Sequence, residues 1–388
     1  MPTRLEDLRT EVRAFVAEHA PDGLGVLEAH PPHDRAPSPV VQEWTTRLRA
    51  GRWLCPSWPV AYGGRGLSPV EVAVVNEAFA TAGAPRVVLG VGERLVAPTI
   101  LAHGTAAQKA RFLPPLLAGD EHWCQGFSEP EAGSDLASLR TRGVIDGDRI
   151  VITGQKVWTS EAQWAQWILL LCRTDPDAEQ HQGITMVCVP LSQPGVEVRP
   201  LRQAHGGAGF NEVFLDGAEA RLDHVIGGVG SGWAVANSTL ATERGGEATI
   251  AHLGYQREWD ALVADARAGG QLRDPRVRQR LARAWISTEL LRFNGLRQFA
   301  ALASGEGPGP TGSLHKVLAS EHHRAFGELA VDLHGASSML LPDDADGYEP
   351  DRWQRIFFES RSRCISRGTN EIQRNVIAER VLGLPRAR

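Results

Sequence analysis

The sequence has few cysteines, and the five present (Cys55, Cys124, Cys172, Cys188 and Cys364) are scattered, with no CxxC pair among them. An odd, dispersed set argues against a disulfide framework and against a clustered zinc site, which leaves buried thiols and no metal ligands. No apolar run is long enough to span a bilayer, so stable membrane insertion is not expected. The stretch from Met1 to Pro21 mixes charge with spaced apolar residues and has no signal-peptide block, which points to a cytoplasmic location. The formal charge of -5 gives no reason to expect a nucleic-acid partner. No GxGxxG follows a strand and opens a helix, so a nicotinamide-binding Rossmann domain is not expected, and there is no P-loop. Gly206-Gly-Ala-Gly209 reads as a flexible turn. Internal repeats and long low-complexity tracts are also missing.

What remains is an ordinary globular composition over 388 residues, 42% hydrophobic and 22% charged, enough for two or three domains with sizeable cores. Thr3 and Glu6 have capping-box spacing, and Leu5, Leu8, Val12, Phe15 and Val16 fall near one helical face. Pro39 to Ala50 predicts a second helix. Helical patterns resume from Pro69 to about Leu117, with breaks at Gly83 and near Pro98. After Gly119 the period changes. Arg149-Ile-Val-Ile-Thr153, Trp167-Ile-Leu-Leu-Leu-Cys172, Gly183-Ile-Thr-Met-Val-Cys-Val-Pro190, Val196-Glu-Val-Arg-Pro200 and Glu212-Val-Phe-Leu215 predict strands. Beyond Gly227 the pattern is again helical, over about 232 to 268, 274 to 304, 311 to 335 and 368 to 382. The expected fold class is α+β: a helical domain over 1–121, a middle antiparallel β domain over 122–230, and a helical domain over 231–388. A small sheet between two helical blocks creates an interface suited to a large cofactor.

Two stretches stand out chemically. In Trp123-Cys-Gln-Gly-Phe-Ser-Glu-Pro-Glu-Ala-Gly-Ser-Asp135, Ser128 and Ser134 carry hydroxyl donors and Gly133 permits close approach of a ligand to the backbone. Residue chemistry alone fits either a ligand loop or a turn joining the first strand. In Gly154-Gln-Lys-Val-Trp-Thr-Ser160, Trp158 offers a flat stacking face beside the small donors Thr159 and Ser160. That combination suits an extended aromatic ring with polar edges, although an isolated tryptophan is ordinarily structural.

Both stretches resemble the flavin-contacting signatures of the acyl-CoA dehydrogenase family. Further resemblance is carried by Pro59-Val-Ala-Tyr-Gly-Gly64, Phe112-Leu-Pro-Pro-Leu-Leu-Ala-Gly119, Gly232-Trp-Ala and Glu243-Arg244. The ending, Gly368-Thr-Asn-Glu-Ile-Gln-Arg374 followed by the stretch from Ala378 to Arg386, resembles the family's C-terminal signature. The resemblance implies an N-terminal helical domain, a middle β domain and a C-terminal four-helix bundle, with FAD between the sheet and the C-terminal helices. It places Phe127 and Ser128 near the reactive end of the flavin, and Trp158, Thr159 and Ser160 on the second flavin strand. Ser134 and Arg244 fall on the substrate side. Thr369 and Glu371 fall near the adenosine portion, and Asp332, Gly335 and Ala336 in a region that meets FAD across a subunit boundary. His334, in the same region, reads as structural. The family's Arg-x-x-Phe-like support for the pyrophosphate has no clean equivalent between Gly254 and Arg273. Arg257 or Arg267 could compensate, or the chain could pair with a different subunit.

The implied reaction, in lipid metabolism of the β-oxidation type, is α,β-dehydrogenation of an acyl-CoA thioester to the trans-2-enoyl-CoA. A carboxylate takes the α-proton, hydride goes to flavin N5, and electrons pass to electron-transferring flavoprotein. Many members place the base immediately before the C-terminal Gly-Thr, where this sequence has Arg367, which stays protonated and cannot be a base. Others, resembling isovaleryl-CoA and long-chain acyl-CoA dehydrogenases, place it on a C-terminal-domain helix, where the match is Glu243, with Glu247 one turn away as its rival. The Arg367 backbone N–H would hold the thioester oxygen. Gly245 and Gly246 could leave room for a bulky acyl chain, or simply allow close helix packing. The implied assembly is a homotetramer or dimer of dimers, with a heteromer as the variant. Two competing readings are a noncatalytic or partner-dependent acyl-CoA-binding subunit and a related flavin oxidase.

Overall fold

The computed structural model describes residues 2–22, 24, 38–84, 86–87, 89–243, 251–306, 309–340 and 351–386, with the side chains of 240–243 left aside. The chain divides into two compact units, the first running essentially to Glu243 and the second from Arg244 onward.

The first unit opens with α1 (Pro2–His19), α2 (Pro39–Ala50) and α3 (Pro69–Thr81). Thr3 sits inside the first turn of α1 rather than ahead of it, so the spacing with Glu6 is not a cap. A capping box does form at Ser68, whose hydroxyl accepts from the Glu71 N–H while Glu71 returns a bond to the Ser68 N–H. Pro69 occupies the first helical position, where a missing N–H costs nothing. A π-turn over Gly92–Val96 leads into α4 (Ala97–His103), followed by α5 (Ala106–Ala118). Thr105 and Gln108 form a second capping box at the start of α5.

Eight strands follow: β1 (Trp123–Gly126), β2 (Arg142–Asp146), β3 (Arg149–Ser160), β4 (Trp167–Arg173), β5 (Ile184–Pro190), β6 (Val196–Leu201), β7 (Phe210–Arg221) and β8 (Val225–Ile226). They hydrogen-bond in the order β6-β7-β3-β2-β4-β5-β8, with β1 beside β4. Most pairs are antiparallel as expected, but β1 runs parallel to β4, so the sheet is mixed. The apolar runs did not reveal β1, β2 or β8: β1 and β8 are only four and two residues long, and the residues of β2, apart from Gly143, are exposed, so it carries no hydrophobic run.

β4 and β5 are buried on both faces, and their two-residue period sorts them between two cores. Leu169, Leu171, Ile184 and Met186 join the core of the N-terminal helices. Ile168, Leu170, Val187 and Val189 join a second core with Ile150, Ile152, Val213 and Leu215 of β3 and β7. Phe112 of α5 fixes the helices to the sheet. It is fully buried, with its ring centroid 5.3 Å from those of both Trp123 and Trp167. One turn earlier on α5, Gln108 uses its side-chain amide to bond the carbonyls of Asp223 at 2.7 Å and Val225 at 2.8 Å.

α6 (Gly232–Glu243) closes this unit. A Cβ at Gly232 would lie 2.6 Å from the Thr185 carbonyl carbon and 2.7 Å from the Met186 nitrogen, so only glycine lets the helix start against β5. Val235, Ala236 and Thr239 are buried, and the Thr239 hydroxyl lies 2.7 Å from that of Thr99 on α4.

The second unit contains α7 (Ala251–Ala268), α8 (Pro275–Ala303), α9 (Thr311–His334) and α10 (Arg352–Ile365), followed by the short α11 (Asn370–Val376). Leu262, Ala266, Leu281, Phe326, Leu329, Trp353 and Ile356 form its core. The helical stretch expected over 232 to 268 is seen as α6 and α7, with 244–250 between them outside the described residues. α10 was not anticipated, although Asp351 and Gln354 form a capping box at its start and would have marked it.

His322 and His323 lie buried on α9 with Tyr255 and Glu258 of α7 around them; the Tyr255 ring centroid is 5.0 Å from that of His322 and the Glu258 carboxylate 3.4 Å from His323 Nε2. Burial, with His323 adding to it, lowers the His322 imidazole from 6.5 to about 4. In this window the unfolded chain binds a proton that the folded one does not. Stability is therefore complete above pH 6.5 and falls as the pH drops from 6.5 toward 4. His322→Phe is expected to flatten the acid slope of the melting temperature across that window. Identical slopes in wild type and variant would show that another group sets it.

Candidate active site

The expected flavin-side residues lie on two neighbouring segments of the first unit. β3 enters with Ile150, Ile152 and Lys156 facing inward, as a two-residue period requires. The pairing with β7 then slips between Lys156 and Thr159. This bulge puts both Lys156 and Thr159 inside and leaves Trp158 outside, 60% exposed, with a left-handed φ of 58°. Trp158 packs edge-on against Phe210, the ring centroids 6.1 Å apart. A bulky residue at positive φ is sterically unfavourable, and such conformations tend to occur at sites where a side chain must be aimed. Four non-glycine residues among those described have positive φ, and two of them, Trp158 and Arg367, are residues the sequence had singled out.

Thr159 does not offer its side chain beside Trp158. It is fully buried, and its hydroxyl has no hydrogen-bond partner among the described residues. Ser160 is half-buried. On the second segment Phe127 is buried in the core, Ser128 is half-buried and Ser134 exposed. Nothing lies within 4 Å of where a Cβ of Gly133 would sit.

Sequence reasoning missed what joins these segments. Lys156 is fully buried, and its ammonium donates to Glu129 Oε1 at 2.7 Å and to the Phe127 carbonyl at 3.2 Å. Glu129 also accepts from the Arg140 and Thr141 N–H groups, at 2.7 and 2.9 Å. Burial pushes the Glu129 carboxyl upward, but the Lys156 charge and these hydrogen bonds outweigh it and hold it below its usual range. Burial likewise lowers the Lys156 ammonium, opposed by Glu129. The available signal was a lysine in two-residue step with the apolar Ile150 and Ile152. Four of the five cysteines are buried as expected, and Cys364 is only half-buried: burial pushes the Cys172 thiol up to about 12, and the Cys55, Cys124 and Cys188 thiols upward as well.

The remaining expected residues, apart from Glu243, belong to the second unit. Arg367, exposed and at φ 57°, forms a turn with Gly368 at φ 82°. The Gln373 side chain donates to the Arg367 carbonyl at 2.9 Å, and Thr369 caps α11 by accepting from the Ile372 N–H. Asn370, nearly fully buried, anchors the turn through Lys316 at 2.7 Å, Ser320 at 2.9 Å and Glu321 at 2.9 Å. Asn370 and Gln373 were not singled out from the sequence. Glu371 is exposed near Arg374. Asp332 pairs with Arg280 at 2.7 Å, and Gly335 (φ 55°) and Ala336 are exposed just beyond α9. His334 bonds back to the Ala330 carbonyl at 2.8 Å, a structural arrangement. Arg257 and Arg267 are both on α7. Glu243 is the last residue of α6; its side chain, together with Arg244, Gly245, Gly246 and Glu247, lies outside the described residues.

These features fit a flavin cofactor. An exposed indole held at positive φ gives a ring face, open space beside Gly133 admits a ligand, and an orphaned buried hydroxyl at Thr159 sits in the same segment.

Three family models cover the chain in order: acyl-CoA dehydrogenase, N-terminal domain, over residues 3–120; middle domain, over 124–218; and C-terminal domain, over 230–382. The chain is 43% identical to "Acyl-CoA dehydrogenase IpdE1" of Mycobacterium tuberculosis, over 98% of each chain. It resembles the solved "Tcur3481-Tcur3483 steroid ACAD" with a TM-score of 0.83 and 31% identity, covering 100% of this chain and 99% of that one. It resembles the ChsE4-ChsE5 complex from Mycobacterium tuberculosis with a TM-score of 0.80 and 31% identity, covering 99% and 98%. The chain therefore belongs to the acyl-CoA dehydrogenase family, and it is an acyl-CoA dehydrogenase whose cofactor is FAD.

Proposed function

We propose that the chain dehydrogenates a bulky, ring-bearing acyl-CoA to the trans-2-enoyl-CoA, with Glu243 as the base and electron-transferring flavoprotein as the electron acceptor. One observation carries the choice of base: arginine, which cannot accept a proton near neutral pH, occupies position 367, while Glu243 stands at the family's alternative position. A thioester α-proton is only weakly acidic, so its removal needs stabilisation of negative charge on the thioester oxygen as well as a base. The Arg367 N–H is the proposed donor. It requires no particular side chain, and the turn that carries it is pinned by Gln373 and Asn370. When bound, FAD supplies the two-electron acceptor. Phe127, Ser128, Trp158, Thr159 and Ser160 are its proposed ring-side contacts, and Thr369 and Glu371 its adenosine-side contacts. Asp332, Gly335 and Ala336 are assigned to FAD of another subunit, and Ser134 and Arg244 to the substrate.

The ring-bearing acyl group is supported by the similarity to a protein described as a steroid ACAD, and by the small residues Gly245 and Gly246 after Glu243. An anaerobic panel of straight, branched and ring-bearing acyl-CoAs tests both parts. Flavin absorbance is expected to bleach, and to bleach fastest with a ring-bearing substrate. A wide preference for a short linear chain would defeat the substrate assignment. Binding of every acyl-CoA without bleaching would defeat the reaction.

Similarity to two proteins named as pairs favours a second reading of the assembly, in which this chain works with a related partner chain. The missing Arg-x-x-Phe-like motif agrees with it. So does a row of exposed apolar residues on α8, Ile286, Leu290, Phe293 and Leu296, each at least half exposed. The purification for the panel also tests this reading: it expects the chain to hold little FAD alone and to fill on co-expression with its partner. One FAD per chain in a homotetramer would reject it.

A further inference from the structure

Lys156 is a fully buried cation that the proposed proton transfer does not use, and its bonds converge on one short segment. Its ammonium holds the Phe127 carbonyl at 3.2 Å and the Glu129 carboxylate at 2.7 Å, while the N–H of the adjacent Val157 holds the Ser128 carbonyl at 3.0 Å. Three consecutive residues are thus clamped to β3 at the point where β3 bulges and turns Trp158 outward. All peptides described are trans. In a trans peptide the N–H points opposite to the C=O, so drawing the Phe127 carbonyl toward Lys156 turns the Ser128 N–H to the other side.

We propose that Lys156, braced by Glu129, is a positioning residue that aims the Ser128 peptide and sets the bulge presenting Trp158, so that the two segments hold the flavin in one geometry. A plain packing role would be served as well by an apolar side chain of similar length, because a buried ion pair is often no more stabilising than apolar residues of the same volume. What the apolar pair cannot supply is the bond to the Phe127 carbonyl. The proposal rests on the reading that these segments contact the flavin, and the test separates the two.

Lys156→Met, the double variant Lys156→Met with Glu129→Gln, and Trp158→Ala are each stripped of FAD and titrated with it, and the melting temperatures of the stripped proteins are recorded. Lys156→Met alone leaves a buried carboxylate without its cation, so it is expected to melt lower and to bind FAD more weakly. The double variant removes the stranded charge. It is expected to recover most of the melting temperature while its FAD dissociation constant stays raised roughly tenfold or more, the loss of one charge-assisted hydrogen bond's worth of alignment. Recovery of both melting temperature and FAD affinity in the double variant would show that Lys156 only packs, and would overturn the proposal. If Trp158→Ala binds FAD as wild type does, the flavin-contact reading fails and takes the proposal with it. If Trp158→Ala weakens binding and the double variant does not, only the role of Lys156 falls.

Discussion

Glu243→Gln is expected to retain FAD and to bind acyl-CoA, yet to slow anaerobic flavin reduction by roughly 10²–10⁴-fold, the usual contribution of a positioned general base. Glutamine keeps the size of glutamate and its capacity to hydrogen-bond but cannot take up a proton. A loss confined to the reduction step therefore isolates proton abstraction from binding. Glu247→Gln, measured at saturating acyl-CoA, is the comparison that matters, because Glu247 is the rival carboxylate four residues on in the sequence. It is expected to reduce its flavin at close to the wild-type rate. Normal reduction in Glu243→Gln with loss only in Glu247→Gln would move the base to Glu247. Arg367 does not compete as a base, since a guanidinium stays charged across the accessible pH range.

Phe112→Ala is expected to be the most damaging single truncation in the first unit. The ring is fully buried and packs at right angles to Trp123, which is itself stacked on Trp167 with centroids 5.6 Å apart. Removing such a ring typically costs roughly 3–5 kcal/mol, from lost burial and the cavity left behind. For a unit of this size that corresponds to a fall in melting temperature of roughly 6–20 °C. Two features make the cavity hard to close: the tryptophans belong to adjacent parallel strands, and α5 is tied to the sheet through Gln108. A thermal melt of the FAD-loaded protein measures the effect. A shift of only about one degree would mean that the α5 contact contributes little to holding helices and sheet together.

The fold was legible in the sequence wherever burial leaves a period. β4 and β5 are nearly continuous apolar runs because both of their faces are covered, and Pro39 to Ala50 is a helix over the expected span. β2 went unseen for the opposite reason: it contributes backbone pairing but little apolar surface. The spacing of Thr3 and Glu6 misled because the same residue pattern can lie within a helix as well as cap one, and only the backbone distinguishes the two. At the site, Trp158 could be recognised by residue type, but not its outward turn, which depends on a register slip between β3 and β7. Thr159 illustrates the cost: two residues adjacent in sequence are separated by the bulge, one exposed and one buried. Lys156, Glu129 and Asn370 act through bonds to residues distant in sequence or to backbone carbonyls, which no local pattern records.

The place where α6 ends has a consequence for recombining members of this family. The C-terminal family model begins at residue 230, whereas the compact unit to which α6 belongs ends at Glu243. A junction at residue 230 would separate Gly232 from the strand backbone it fits, and Thr239 from Thr99. A chimaera that takes its last helices from another parent is therefore better joined after Glu243. The proposed base would then be inherited from the sheet-bearing parent, while the amide at position 367 would come from the other parent. Proton abstraction and oxyanion support would become two modules that such crosses could vary independently.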